Sequence, residues 1–359
     1  MPVEAYKTRA ESGDRRMLSR RTPNAAFLGL FVCALAVLGA SAQTPPEVLR
    51  ISFQIATGPV AGSYFPVGEA LARIISNPPG FGRCEDDVDV CGPVGLIASA
   101  RASDGPLANI AAIRSGRVAS ALIQGDIAAL AYEGAGPFQT AGAFKNLRVL
   151  AKLQSETVHL VVATHARVKR LSDLKGKRIG IDAPSSATNA TARAILTAAK
   201  LNPAKLKLSF QTPEQAAGDL RSGKLDAFFV IGAAPVHVVD DLLRHGSARL
   251  VAIDGTAIAA WLKTRPLLMS VVLPEAAYRG SKATHTLAVV ALWVATAKLP
   301  DNVAYSLSRA LWNPSNRNEL DGLGPVAASI RRDGLLESSP IPLHPGAAKF
   351  YQDAGRLQN

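Results

Sequence analysis

From residue 48 onward, short apolar runs alternate with segments whose apolar residues recur every three to four positions. The runs predict buried strands and the periodic segments predict helices. Strands are expected at 48–55, 95–102, 118–123, 147–153, 159–163, 179–181, 206–210, 227–231, 249–253, 270–273 and 286–295. Helices are expected at 67–76, 106–115, 127–132, 189–200, 213–222, 236–245, 301–312 and from 345 on. Pro66 stands just before the first helix, and Asn77-Pro78-Pro79-Gly80 breaks it. Such alternation argues for an α/β fold with mainly parallel sheets flanked by helices. A weak internal echo supports two similar halves: 113–121 and 220–228 both read as helix end, Ser-Gly, basic residue, buried strand. Helix C-cap chemistry at Gly116 and Gly223 accounts for the echo equally well.

The first 42 residues follow a different pattern. Arg20 and Arg21 precede an apolar stretch, 25–38, too short for an ordinary membrane span. Ala40 and Ala42 then fit an A-x-A cleavage site. Residues 1–42 therefore read as a secretory signal cut after Ala42, with Met17 a possible true start and an uncleaved anchor the alternative. Export to the periplasm is the expectation.

Removal of the leader leaves 317 of 359 residues, enough for two domains. Six Lys/Arg and three Asp/Glu leave with it, so the net charge of +12 falls to +9. That charge is dispersed, with aromatics only 6%, which argues against a nucleic-acid surface. A mild positive field favours anionic ligands in a cleft. Two cysteines remain, Cys84 and Cys91, around an acidic stretch. An oxidising compartment favours a disulfide between them. Free thiols, or a metal held with Glu85, Asp86, Asp87 and Asp89, are the alternatives. The histidines show no metal-ligand spacing, and no G-x-S-x-G, P-loop or G-x-G-x-x-G is present. No cofactor, metal or catalytic residue is expected.

Five stretches carry a resemblance to a known family. They are the first strand with Thr57-Gly58 and Gly62-Ser63-Tyr64-Phe65-Pro66-Val67-Gly68; 109–115 with the strand ending Gln124-Gly125-Asp126; Leu171-Ser172-Asp173-Leu174-Lys175-Gly176-Lys177-Arg178-Ile179; 220–229; and Pro342-Leu343-His344-Pro345-Gly346-Ala347-Ala348-Lys349-Phe350-Tyr351. In this order they resemble the TAXI family of solute receptors for TRAP-type transporters, which are type 2 periplasmic binding proteins. The resemblance implies two α/β lobes, 43–155 with 265–359 and 156–264, closing on a small anionic solute. An organic acid or an amino acid such as glutamate is expected, handed to a TRAP membrane subunit by a monomeric receptor. A two-lobed lyase or transferase, or a sensor feeding a signalling partner, is the alternative. The chain departs from the family pattern at 84–93, which reads as an insertion, and at 58–62, where bulkier residues enter a Gly-rich turn.

The candidate ligand-binding residues lie where strands end. Gly58, Ser63 and Tyr64 precede a helix whose N-terminus suits a carboxylate, or they form a tight turn. Ser185, Ser186 and Thr188 open the helix 189–200, as ligand donors, as caps, or as both. Gln124 and Asp126 end a strand; Asp126 either accepts a ligand ammonium or caps a helix. Asp182 precedes the Ser-rich turn. Gly232 and Pro235, with Ala233, form a backbone wall after 227–231. Trp261, Trp293 and Trp312 read as packing residues, and His159, His165 and His344 as structural.

Overall fold

A computed structural model describes residues 50–355 except 61, 81, 85, 86, 88, 266, 332–338 and 340. The expected leader, its cleavage site, Glu85 and Asp86 lie outside the described residues. Strand β1 (Ile51–Ala56) runs into helix α1 (Tyr64–Ile75) and pairs in parallel with β2 (Leu96–Arg101). Helix α2 (Pro106–Arg114) leads to β3 (Ser120–Gln124), parallel to β1 on its other edge. Helix α3 (Gly125–Glu133) follows at once, then the 17-residue β4 (Leu147–Ala163). A second parallel set comprises β5 (Arg178–Gly180), α4 (Ala187–Ala198), β6 (Lys207–Ser209), α5 (Pro213–Arg221) and β7 (Ala227–Gly232), with β5 between β6 and β7. The chain continues through α6 (His237–Arg244), β8 (Ala248–Val251), α7 (Thr256–Leu262), β9 (Leu268–Leu273) and β10 (Thr284–Thr296). It ends with α8 (Asp301–Trp312), α9 (Arg317–Asp321) and α10 (Pro345–Asp353).

The two parallel sets are joined by the long antiparallel pair β4 and β10. β10 pairs with β3 on one side, and β4 pairs with β7 on the other. The strand order is β2-β1-β3-β10-β4-β7-β5-β6, with β8 on β4 and β9 on β10. The α/β fold is thus a mixed sheet flanked by helices, parallel within each set and antiparallel where the sets meet.

Helices α7 and α9 were not expected from the sequence, and two of the boundaries that differ do so for physical reasons. α1 begins at Tyr64, so Pro66 lies inside its first turn, where a missing N–H costs nothing because that group has no partner within the helix. The strands expected at 147–153 and 159–163 are one strand. The polar stretch Gln154-Ser155-Glu156-Thr157 breaks the apolar pattern but not the ladder, which depends on backbone groups. β10 pairs across it, Val289 with Glu156 and Ala288 with Thr157, and a register shift between Val290 and Leu292 absorbs the irregularity. The Ser-Gly echo is C-cap chemistry at both places: Gly116 and Gly223 have φ of 73° and 72°, each just after a helix.

One apolar core is built from residues between Val158 and Leu287, and it includes Leu273 and Tyr278. Two others draw on both ends of the described chain, one from Phe53 to Tyr351 and one from Ala56 to Ile341. Ala187, the first residue of α4, packs in the second of these, whereas Ala192, Ile195 and Leu196 of the same helix pack in the core built between Val158 and Leu287. Trp293 is fully buried and donates its indole N–H to Ser120 Oγ at 3.0 Å. Trp312 donates to the Tyr351 hydroxyl at 2.8 Å. His344 caps α10, its Nδ1 accepting from the Gly346 N–H.

His159 is a core residue at 1% exposure. Its Nδ1 lies 3.3 Å from the Val230 carbonyl and its Nε2 2.8 Å from the Tyr278 hydroxyl, which accepts from the Val236 N–H at 2.8 Å. A neutral ring donating from Nδ1 and accepting at Nε2 satisfies every partner. Burial holds its pKa down at about 4. Cys84 and Cys91 are joined as a disulfide. Their loop is docked by Asn316 Nδ2, which donates to Val90 O at 2.6 Å, and by the Gly92 N–H on Ile75 O.

Candidate functional site

The turn after β1 is held from below. Asn109 Nδ2 donates to both Thr57 O and Leu122 O, at 2.6 and 2.8 Å, tying the ends of β1 and β3 together. Gly58 is buried; an added Cβ would meet the Tyr64 side chain, its Cβ nearest at 3.5 Å, an ordinary contact. Backbone strain therefore does not demand glycine there.

Past this turn three of the sequence-predicted residues converge on one carboxylate, that of Glu156 on β4. Ser63 Oγ donates to Glu156 Oε1 at 2.8 Å. The Tyr64 hydroxyl and Gln124 Nε2 donate to Oε2 at 3.0 and 2.9 Å. Because Ser63 is engaged this way, it makes no side-chain cap to α1. Glu156 is only 2% exposed, and burial pushes its pKa up while the three donors oppose the rise. Burial and the nearby Glu156 charge drive the Tyr64 hydroxyl well above its usual range. Gln124 Oε1 and both amide atoms of Gln154, two residues before Glu156, are buried without a hydrogen-bond partner. On the other side, Thr157 pairs with Gly232 at the end of β7. An added Cβ at Gly232 would press Val236 Cγ2 at 3.1 Å. Pro235, which follows a cis Ala234–Pro235 bond, is exposed.

Asp126 does not cap α3: the cap position is Gln124, and Asp126 lies in the first turn, its Oδ1 accepting from the Ile127 N–H at 2.9 Å. Its Oδ2 accepts from Thr191 Oγ1 of α4 at 3.1 Å. Burial raises the pKa of Asp126, opposed by the Thr191 hydrogen bond and, more weakly, by Arg265. The start of α4 forms a network of its own. Ser186 is the N-cap, accepting from the Asn189 N–H at 3.1 Å. The carboxyl of Asp182, whose φ is 64°, accepts from the Ala183 N–H at 2.7 Å; burial raises its pKa, opposed by that bond and by the nearby Ser186 hydroxyl. Asn189 Nδ2 donates to Asp182 O at 3.0 Å. Thr188 is buried and Ser185 exposed.

A cavity of about 40 Å³ lies between α3, α4 and the segment from α7 to β9. Its polar wall is Asp126, Thr191 and Arg265, and its apolar wall includes Ile127, Leu268 and Trp261. Trp261, expected only to pack, thus also borders open space. Glu156, Thr191 and Arg265 were not among the expected site residues. A lone acid inside the apolar stretch 147–163 is the signal that marks Glu156; Arg265 and Thr191 carry no local signal. Among the described residues no group of His, Cys, Asp and Glu suits a metal ion, and no helix is long and apolar enough to cross a membrane.

Among solved structures, the periplasmic aliphatic sulphonate binding protein of Escherichia coli matches at 15% identity, covering 85% of this chain and 84% of that one, with a TM-score of 0.43. The alkanesulfonate-binding protein of Xanthomonas axonopodis pv. citri bound to MOPS matches at 15%, with 87% and 96% covered and a TM-score of 0.43. An ancestral arginine-binding protein bound to arginine matches at 13%, with 76% and 96% covered and a TM-score of 0.45. A model of the NMT1-like family matches residues 55–355, and the chain belongs to that family.

Proposed function

We propose that the protein is an exported solute receptor of the TAXI type, working in the periplasm as a monomer. Two lobes, 43–155 with 265–359 and 156–264, close on a small carboxylate-bearing solute, an organic acid or an amino acid such as glutamate. The receptor then hands it to a TRAP-type permease. The observation that carries this reading is the meeting of α3 and α4 across a cavity, with Asp126 and Thr191 hydrogen bonded over it. Ligands of open α/β sheets sit beyond the carboxyl ends of strands, and the residues involved follow β3 and β5. The continuous pair β4 and β10 suits a hinge, since it connects the two parallel sets without a loop.

The test is a thermal-shift screen of residues 43–359 against organic acids, amino acids and sugars, with native mass spectrometry of the freshly purified protein. A solute at about 100-fold excess over its Kd adds roughly 2.7 kcal/mol to stability, a visible rise in Tm. A carboxylate that shifts Tm or co-purifies is the expected result. A response confined to sugars overturns the anion assignment, and no bound or stabilising small molecule at all overturns the receptor reading.

A further inference from the structure

The parallel set β5, β6 and β7 carries its positive charge at one end. The sequence disperses these lysines, and the fold gathers them. Lys175 just precedes β5, Lys205 just precedes β6, and Lys207 opens β6. Lys224 just precedes β7. Lys200 follows α4, which must return the chain to the start of the next parallel strand. β5 lies between its two partners, with Arg178 beside Lys207 and Ile179 beside Ala227. At the usual strand spacing the three strand starts span about 10 Å. That is about one Debye length at 0.1 M salt, so the lysines act as a single field.

All five lysines are exposed, and among the described residues none forms an ion pair. The acids nearby are engaged by other groups: Asp226 by Arg178, Asp241 by Arg221, and Asp173 by the Lys169 and Arg170 N–H groups. At the equivalent end of the first parallel set cations meet acids instead, Arg73 with Glu319 and Arg309 with Asp89. The α4 dipole accounts for Lys200; Lys175, Lys205 and Lys207 end no α-helix. The exposed large hydrophobics among the described residues lie elsewhere, and Phe210 follows β6 at its opposite end. Protein interfaces are anchored by aromatics and Arg and are poor in Lys, and single-stranded nucleic acid needs stacking aromatics. Hydrated point charges on flexible stems suit a fluid sheet of phosphates instead.

We propose that this lysine end docks on the surface of an anionic phospholipid bilayer, its ammonium groups set against head-group phosphates and no segment entering the hydrocarbon. The attraction is electrostatic and is screened by salt. Docking by this end leaves the carboxyl ends of β5, β6 and β7, where α4 and α5 begin, facing away from the surface. A receptor held in this way keeps its strand-end region open to the surrounding medium. The inference goes beyond the receptor reading and does not depend on which solute is bound.

Vesicle flotation tests it, with the exported form, residues 43–359, and vesicles of phosphatidylcholine with and without phosphatidylglycerol. Salt is set low, at about 0.05 M, or high, at about 1 M, where the Debye length falls to about 3 Å. The wild type is compared with the triple variant Lys175→Glu, Lys205→Glu, Lys207→Glu. A control triple variant, Arg50→Glu, Arg117→Glu, Lys298→Glu, changes the net charge equally at exposed positions. Those positions lie at the other end of the sheet, because β3 and β7 run in opposite directions through β10 and β4. Circular dichroism and Tm confirm the fold of both variants. The wild type is expected to float with the anionic vesicles at low salt only, and not with phosphatidylcholine. Each lysine near an anionic surface is worth about fivefold in partition, so the lysine-end variant is expected to lose about 100-fold and the control less than about 10-fold. No adsorption to anionic vesicles overturns the inference, as does equal adsorption to phosphatidylcholine or an equal loss in the control. Binding to poly-L-glutamate but not to the vesicles assigns this end to an acidic protein and also overturns it.

Discussion

Replacing Glu156 with alanine is expected to lower the unfolding free energy by about 3–5 kcal/mol, the range for stripping a buried charge of its partners or the partners of their charge. The substitution removes the acceptor from three donors at once: Ser63 Oγ, the Tyr64 hydroxyl and Gln124 Nε2. Each buried group left without a partner costs roughly 1–3 kcal/mol. Tyr64 and Gln124 are 5% exposed, so water does not readily replace the carboxylate; Ser63 is partly exposed and recovers some of its loss. Glu156→Gln keeps one acceptor oxygen and is expected to cost less than half as much. Urea denaturation at pH 7 reads both. A loss below about 1 kcal/mol for the alanine variant would mean that the three hydrogen bonds do not organise the turn after β1.

The second large effect is on pH dependence. His159 is held neutral in the fold with a pKa of about 4, while in the unfolded chain it titrates near the ordinary 6.5. Between these values the unfolded chain binds the extra proton, so stability is full above about pH 6.5 and declines as the pH falls toward 4. The shift corresponds to about 3 kcal/mol lost over that window. Glu156 and Asp126 act in the opposite sense, because their raised values favour the protonated, folded form as pH drops. A comparison with His159→Gln isolates the histidine, since the carboxyls are common to both proteins. The wild type is expected to lose about 3 kcal/mol more than the variant between pH 7 and pH 4, measured by urea denaturation. Parallel pH profiles would show that His159 is protonated in the fold without cost.

Most elements were legible because periodicity reports which face is buried, but the short helices α7 and α9 were not expected, and the pattern misplaced the start of α1 and the break at 154–157. What the pattern misread at 154–157 is the most informative part of the chain. Four polar residues in an apolar stretch signal a break when read locally, yet here they lie inside a continuous strand, with Gln154 and Glu156 buried and Ser155 and Thr157 partly exposed. Local sequence holds no information about β10, which arrives more than 130 positions later and supplies the ladder. The antiparallel joining of two parallel sets was invisible for the same reason.

At the site, the strand-end rule placed Ser63, Tyr64, Gln124 and Asp126 in one region. It did not identify what they face. Hydroxyls read as ligand donors turn out to hold a protein carboxylate, because Glu156 is distant in sequence and adjacent only through the sheet. Ser186 shows how capping and site chemistry share one residue type: its hydroxyl caps α4 through the Asn189 N–H and favours the charge of the nearby Asp182. Arg265 had no motif to mark it; the fold alone brings it to the cavity beside Asp126 and Thr191.

The most direct test of a cleft between α3 and α4 is isothermal titration of the solute found by the screen into wild type, Ala190→Trp and Ala194→Trp, whose small side chains line the cavity. A bulky ring forced into well-packed space costs about 1–3 kcal/mol, so the account predicts affinity weakened by about 10- to 100-fold in at least one variant, with folding retained. Unchanged affinity in both would place the solute elsewhere on the protein and contradict it.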